Sequence, residues 1–352
     1  MKINLKKLNI DELKDFFSSI GEKPYRAKQV FKWIYTKGVD SFEEMTDLGK
    51  SLKDKLSKSA TISKLKLLEK KTSSNNDTEK YLFELEDGEL VEAVLMRYEE
   101  DLGFGRVTLC ISTQVGCSLD CSFCATGKSG FIRDLTFYEI ADQVLQIQKI
   151  IKDTHDRIAN IVVMGMGEPF LNYDNVMKAV RILNDPDGLC IGARHITIST
   201  CGIIPGILKL AEEEMQVKLA ISLHTADNEK RTELMSINKK YPLKDLMYAI
   251  KTYQEKTKRR VTFEYVLIKG FNDSQNDIKK LVELTGGIKC IVNIIPVNNT
   301  GDKKFELPAP KDINRVRQLM EDAGLNVTVR KSRGGDIEGA CGQLKAKREK
   351  SR

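Results

Sequence analysis

Three cysteines, Cys117, Cys121 and Cys124, stand in C-x3-C-x2-C spacing within the run Cys110 to Gly130, which reads C-I-S-T-Q-V-G-C-S-L-D-C-S-F-C-A-T-G-K-S-G. Such spacing lets three thiolates face one metal centre while the intervening backbone wraps around it. Three ligands are one short of the four that a closed zinc site or a purely electron-transferring iron-sulfur site normally takes. A centre of this kind keeps a position open, and an open iron can hold a substrate. Two other readings fit the same residues: a zinc loop that borrows a remote ligand, and a set of disulfide partners. Disulfides suit this chain poorly, because 352 residues bury an ample core without staples and no apolar signal segment directs the chain to an oxidising compartment. Reduced thiols in a cytoplasmic protein are expected.

Composition sets the wider limits. With 41% hydrophobic and 30% charged residues, the chain is an ordinary globular one with room for a large core and one small extra domain. No apolar run approaches the length of a membrane span, so no membrane partner is expected. The formal net charge of +7 is unevenly placed: residues 1–75 carry 17 Lys and Arg against 10 Asp and Glu, and residues 343–352 carry 5 against 1. Basic ends therefore flank a mildly acidic middle, an arrangement that suits a polyanion held at the periphery while chemistry proceeds at the centre. Solvated surface helices and a basic tail would give the same pattern.

The elements that must position the cysteines follow from periodicity. In the first 70 residues apolar positions recur at helical spacing in Ile10, Leu13, Phe16 and Phe17, in Val30, Phe31, Ile34 and Tyr35, and in Leu48, Leu52 and Leu56, which predicts a small helical domain over 1–70. Its K-P-Y-R-A-K-Q-V-F-K-W-I-Y stretch sets Lys23, Arg26, Lys28 and Lys32 around a helix start with Trp33 beneath, a surface suited to phosphates and equally to ordinary packing. A polar turn at Thr72 to Thr78 and a hairpin from Lys80 to Met96 about Asp87-Gly88 predict a β-hairpin linker over 71–105, closed by the loop E-E-D-L-G-F-G. Glu92, in the second arm, reads as a solvent-facing strand residue.

From Arg106 onward the chain repeats a strand-then-helix unit. Strands are predicted at 107–113, 158–164, 195–200, 217–223, 260–268 and 290–297, with a closing run at 326–331 and helices such as 137–152 between them. Alternation of this kind predicts a parallel sheet in an α/β core over 106–340. The unusual residues all fall at carboxyl ends of these strands. The cysteine loop follows the first, Gly165-Met166-Gly167-Glu168-Pro169 the second, Ser199-Thr200-Cys201-Gly202 ends the third, Ser222-Leu223-His224 the fourth, and Pro296-Val297-Asn298 the sixth. That rim is where parallel α/β folds build their sites, so the placement favours a barrel-like arrangement with one mouth.

With Phe123 before the last cysteine, C-x3-C-x-F-C resembles the loop of radical S-adenosylmethionine (SAM) enzymes, and G-M-G-E-P resembles their glycine-rich turn after strand two. Q-V-G-C-S-L-D-C-S-F-C-A-T-G, M-G-M-G-E-P, S-L-H, I-N-K-K-Y-P and R-G-G-D-I-E-G-A-C-G-Q-L are together similar to the RlmN/Cfr family of RNA adenosine methyltransferases, over nearly the whole chain. The resemblance implies a partial (β/α)6 barrel with a small N-terminal domain like a helix-hairpin-helix. It implies a [4Fe-4S] cluster on Cys117, Cys121 and Cys124, with SAM on the fourth iron and in contact with Gly167, Glu168, Ser199, Ser222, Leu223, His224 and Asn298. Glu168 would accept from the SAM ammonium.

Two further cysteines have no metal spacing. Cys341 lies between small residues in G-A-C-G-Q-L, at the head of a C-terminal segment over 341–352, and Cys110 stands seven residues before the first ligand. Taken alone each reads as a buried small hydrophobe, as do Cys190, Cys201 and Cys290. The resemblance implies more. Cys341 would receive a methyl group from one SAM and present it to RNA, a second SAM would supply the radical, Cys110 would resolve the adduct through a transient disulfide, and Glu92 would be the proton acceptor. Implied partners are 23S rRNA at its peptidyl-transferase loop, some tRNAs at the adenosine beside the anticodon, and an electron donor such as flavodoxin or ferredoxin. C2 methylation is implied over the C8 methylation of Cfr relatives by Gly-Glu-Pro after strand two and Ile-Pro-x-Asn after strand six. Two other classes remain: a zinc-stabilised RNA-binding module without catalysis, and a radical SAM activase or sulfur-inserting enzyme, which would need another close cysteine cluster.

Overall fold

The computed structural model describes residues 2–98, 106–154, 156–299, 305–330 and 332–346. One ten-stranded sheet organises it, with strands β1 Lys66–Thr72, β2 Thr78–Glu84, β3 Leu90–Arg97, β4 Arg106–Cys110, β5 Arg157–Val163, β6 Ile196–Thr200, β7 Lys218–Ser222, β8 Val261–Leu267, β9 Cys290–Pro296 and β10 Val327–Val329. Each strand pairs with its neighbours in the sequence, and the sheet stays open between β10 and β1. The pairings from β4 to β10 are all parallel, whereas β1 to β4 are antiparallel. Six βα units and a closing strand result, a partial (β/α)6 barrel.

The segment expected as a hairpin linker is part of this sheet. β3 pairs with β4 through Val94↔Cys110 to Arg97↔Val107, and β1 starts at Lys66, so three antiparallel strands extend the barrel wall. The reason is apolar alternation on both faces, because a hairpin buried on both sides must be covered on both. On β3, Ala93 and Leu95 enter the main core while Val94 and Met96 pack on the inner side with Cys110, Met166 and Leu344. The loop of residues 99–105 lies outside the described residues.

The same parity sorts the barrel strands. On β8, Phe263, Tyr265 and Leu267 belong to the core, and Val266 lies in a second inner cluster with Ile268, Ile295 and Val297. Helices α4 Phe137–Ile150, α5 Tyr173–Asn184, α6 Ile204–Ala211, α7 Asn228–Leu234, α8 Leu243–Thr257, α9 Gln275–Thr285 and α10 Pro310–Asp322 follow the strands in turn. Their amphipathic spacing lets each present one apolar stripe to the sheet.

Three further helices, α1 Ile10–Ser19, α2 Tyr25–Tyr35 and α3 Lys50–Ser59, lie at the N-terminal end. The first opens on a capping box of Asn9 and Glu12, and the second buries Ala27, Val30, Phe31, Ile34 and Tyr35. This end is tied to the barrel by a buried ion pair. Lys6 Nζ lies 2.7 Å from Asp142 Oδ1 of α4, each side chain 1% exposed, and Asp142 Oδ2 accepts the Leu65 N–H at 2.7 Å. Removing one partner leaves the other charge buried and unpaired, so Lys6→Met should lose about 3–5 kcal/mol of stability. Chemical denaturation followed by circular dichroism checks this, and an unchanged midpoint would give the pair no more weight than an exposed one.

Candidate active site at the mouth of the barrel

Five loops at the carboxyl ends of the strands close on one cavity. It is lined by Cys117, Cys121, Cys124 and Phe123 of the cysteine loop, by Gly165, Gly167 and Glu168, by Ser199 and Cys201, by Ser222 and His224, by Asn298, and by Cys110 and Cys341. Two expected residues do not line it. Leu223 is fully buried in the main core, because it follows Ser222 at the end of β7 and turns to the opposite face, and its N–H is donated to Glu264 O at 3.1 Å. Glu92 is also placed elsewhere, as described below.

The glycine turn after β5 is welded to the chain that follows β4. Gly165 N–H donates to Ile111 O at 3.0 Å, and the Thr113 and Gln114 amides both donate to Met166 O. At Gly167, φ is +101° and a Cβ would stand 2.6 Å from Gln114 Cβ, so only glycine allows this approach. The turn delivers Glu168 with both oxygens in use: Oε1 accepts the Phe170 N–H at 3.0 Å and Oε2 the Cys201 N–H at 2.7 Å. Burial raises the Glu168 pKa and these amides oppose the rise. An ammonium at the free lone pairs would favour the ionised form, which suits the role expected of it.

His224 sits at φ +62° with its ring edge-on to Phe123, centroids 4.8 Å apart. Val266 N–H donates to Nδ1 at 3.1 Å, and burial pushes the imidazole down to about 3. The ring is therefore neutral with its proton on Nε2, a donor for a sugar hydroxyl or a ring nitrogen.

The cysteine loop is held from behind by residues that spacing did not single out. The Ser122 N–H donates to Leu234 O at 2.9 Å, and Asp120 accepts from the Ser236 hydroxyl. Arg231 is fully buried, bonded to Cys201 O at 2.8 Å, Ser222 O at 3.1 Å and Asn238 Oδ1 at 2.7 Å. Asn238, from the I-N-K-K-Y-P stretch, thus acts through Arg231 on two cavity strands. Cys201, read as a small hydrophobe, has its sulfur 3.8 Å from that of Cys121.

Among the described residues no three His, Cys, Asp or Glu side chains close on a single metal-ion position. A four-iron cluster makes a different demand, since each cysteine binds its own iron and the sulfurs surround a volume instead of meeting at a point. Three thiols facing one cavity, with Gly127 permitting the tight return of the loop onto Leu119 O, fit that demand. Cys117, Cys121 and Cys124 are the residues that would hold it. Burial pushes the free Cys117 thiol up to about 12, so iron must displace the proton.

The C-terminal segment folds back across the mouth and is stitched to the cysteine loop. Ala125 N–H donates to Gly342 O at 2.7 Å, the Thr126 hydroxyl to Leu344 O at 2.6 Å, and Asn298 Nδ2 to Cys341 O at 3.0 Å. Cys341 is accessible to the cavity it lines, and the protein around it pushes its thiol up to about 11. Cys110 is buried, and burial, with a smaller contribution from Cys341, pushes its thiol up to about 12. All eight cysteines are free thiols, so the expected disulfide is no part of this structure. Glu92 is 4% exposed, which corrects the solvent-facing reading. Its Oε1 pairs with Lys80 at 3.1 Å and its Oε2 accepts the Lys345 and Ala346 amides at 2.9 and 3.2 Å, so it clasps the segment that carries Cys341.

Known proteins share these features. Residues 3–62 match the family model for the ribosomal RNA large subunit methyltransferase N-terminal domain, and residues 111–284 match the radical SAM superfamily. The chain is 50% identical over 349 residues to a probable dual-specificity RNA methyltransferase RlmN of Thermoanaerobacter sp. (strain X514), covering 99% of both chains. This chain belongs to the RlmN family of radical SAM methyltransferases. A second RlmN relative, from Bacillus cereus, is 46% identical across 99% of this chain and 95% of its own. The crystal structure of a radical SAM methyltransferase from Sphaerobacter thermophilus superposes with a TM-score of 0.92 at 42% identity, over 98% of this chain and 100% of that one. Family membership implies a [4Fe-4S] cluster and SAM as cofactors. No helix among the described residues is long and apolar enough to cross a membrane.

Proposed function

We propose that this enzyme methylates C2 of an adenosine in the peptidyl-transferase loop of 23S rRNA, and of the adenosine beside the anticodon in some tRNAs, through an S-methyl group on Cys341. The observation that carries the reading is that Cys110 and Cys341, from opposite ends of the barrel sequence, line one cavity with the three-cysteine loop. Relatives with this architecture carry the name dual-specificity RNA methyltransferase.

C2 of adenine is electron-poor and has no lone pair to offer, so direct displacement of a SAM methyl group by the base is blocked. When bound, the cluster and two SAM molecules per turnover would supply the methyl group of Cys341 and the means to activate it as a radical. The chain does the rest. Asn298 and Ala125 hold the Cys341 loop over the cavity, so that its S-methyl carbon can meet C2. Glu92, which grips the Cys341 segment from outside the cavity lining, is the residue the family resemblance assigns as acceptor of the C2 proton, a role that requires it to exchange its present partners for the base. Once the adduct radical has given up one electron to the bound cluster, the Cys110 thiolate attacks the Cys341 sulfur. The carbon-sulfur bond breaks, the carbon keeps its electron pair and takes a proton to become the methyl group of the released RNA, and a Cys110–Cys341 disulfide is left for an external reductant. Gly167, Glu168, Ser199, Ser222, His224 and Asn298, with the Leu223 backbone, would bind SAM.

The N-terminal domain would hold RNA outside the cavity. Lys23, Lys28 and Lys32 are exposed there; Arg26 is half-buried, and Lys28 pairs with Asp187 at 2.8 Å. Residues 347–352 of the basic tail lie outside the described residues. The reading is tested by mass spectrometry of nucleosides from 23S rRNA and tRNA of a strain lacking the gene. Loss of 2-methyladenosine that the intact gene restores is expected. Loss of an 8-methyl mark, or of none, would overturn it.

A further inference from the structure

The cavity holds two cationic side chains among the described residues, Arg330 and Arg333, and they differ in one respect. Arg333 is neutralised: it pairs with Asp77 at 2.5 Å and lies over the Tyr98 ring at 4.9 Å. Arg330 has no carboxylate partner among the described residues. Among the described residues its guanidinium reaches two thioethers, Met164 Sδ at 3.7 Å and Met96 Sδ at 3.6 Å, while its backbone N–H is fixed to Ile294 O at 2.9 Å. A guanidinium has five donors in a rigid fork, and sulfur is a weak acceptor for them. Burial would lower its pKa, yet the groups around it, Cys341, Tyr98, Glu264 and Cys110, outweigh that and keep it charged. A charged fork that lines a cavity and has no carboxylate within ion-pair distance among the described residues is placed to receive an anion.

Two anions of the proposed reaction could fill it, the carboxylate of SAM and a phosphate of the RNA. Position decides between them. The ammonium and carboxylate of SAM share one carbon, so the carboxylate must sit beside whatever receives the ammonium. That receptor is Glu168, whose surroundings are Cys201, Phe170 and Thr200. Arg330 instead lies against Met96 and Met164, which pack in one cluster with Cys110, and it lines the cavity with Cys341, so it sits beside the two sulfurs between which the base must react. A base can reach them only if it is taken out of its stack, which draws its own phosphate toward the mouth and strips water from it. A bidentate guanidinium is the side chain best matched to that phosphate.

We propose that Arg330 receives a phosphate adjoining the target adenosine and so sets the base over Cys341. This rests on the RNA-methyltransferase reading above. It makes Arg330 a substrate-binding residue of the second half-reaction, whereas the first, methylation of Cys341, involves no phosphate.

The test uses the iron-reconstituted full chain under anaerobic conditions and a 23S rRNA fragment bearing the peptidyl-transferase loop. Each phosphate around the target adenosine is replaced in turn by a neutral methylphosphonate. In the wild type, one position should weaken binding by about 10- to 100-fold, the range of a hydrogen bond to a charged group. In Arg330→Met, which fits among the two thioethers, overall affinity should fall by a similar factor, that same methylphosphonate should add nothing, and the salt slope should drop by about 0.7. Arg330→Lys should keep part of the sensitivity at that position. S-methylation of Cys341, read by peptide mass spectrometry without RNA, and the SAM dissociation constant separate the two anions. If either changes about tenfold while RNA binding holds, Arg330 serves SAM and the proposal fails. If no single methylphosphonate matters in the wild type, it fails whether or not the variants fold. Absence of RNA methylation by the wild type would instead defeat the functional reading, and the scan would still report on the phosphate.

Discussion

Cys110→Ala should purify covalently joined to RNA, whereas Cys341→Ala should purify free of it. Both cysteines line the same cavity and both thiols are held above their ordinary range by the protein around them, so a purely structural role would make the two substitutions alike. The proposed chemistry makes them opposite. Without Cys341 there is no sulfur to take the methyl group, so the protein should show no S-methylation and the RNA no methylated adenosine. Without Cys110 the methyl group is accepted and its carbon adds to the base, but no thiol is left to break the carbon-sulfur bond that joins protein to RNA. The adduct should appear as a slow band on a denaturing gel that nuclease collapses. Two features argue that neither variant simply unfolds: the Cys341 loop is held by backbone carbonyls bonded to Asn298 and Ala125, and Cys110 ends a strand paired on both sides. Turnover by Cys110→Ala at the wild-type rate, with no adduct, would return both residues to the core.

Much of this arrangement was legible because parallel strands announce themselves. The run V-T-F-E-Y-V-L was expected as strand 260–268 and forms Val261–Leu267; Cys290–Pro296 and Arg157–Val163 fall within a residue of their expected bounds. What spacing could not supply was parity and register. Leu223 and Ser222 are adjacent in the chain, yet one enters the core and the other the cavity. Glu92 reads as exposed because it is a lone carboxylate between Val91 and Ala93 in a hairpin arm, whereas β3 is covered on both faces and the C-terminal segment lies on its inner one. Glu264 carried a signal that could have been used, a lone charge in a strand otherwise apolar, and it lines the cavity with Asn293 bonded to it at 2.7 Å. Arg231 and Arg330 carried none. Their importance comes from being far in sequence from what they touch, and only the folded chain brings those contacts together.

Cys121→Ala should abolish iron binding, and with it both methyl transfers, while leaving the barrel folded. Two thiolates cannot retain a four-iron cluster against solvent and chelators, so iron should fall from about four per chain toward zero and the brown charge-transfer absorption with it. Among the described residues Cys201 is the cysteine beside this position, with its sulfur 3.8 Å from that of Cys121. Its backbone is fixed at both ends, the amide to Glu168 Oε2 and the carbonyl to Arg231 Nη2, so it cannot follow an iron into the loop. Cys201→Ala alone should therefore keep iron and colour. If Cys121→Ala stays brown and loses its iron only when Cys201 is also replaced, the fourth cysteine is a ligand in waiting and the three-cysteine assignment is wrong. If Cys121→Ala stays brown regardless, the loop does not hold the cluster, and the open coordination position on which the whole reaction depends would have to be sought elsewhere.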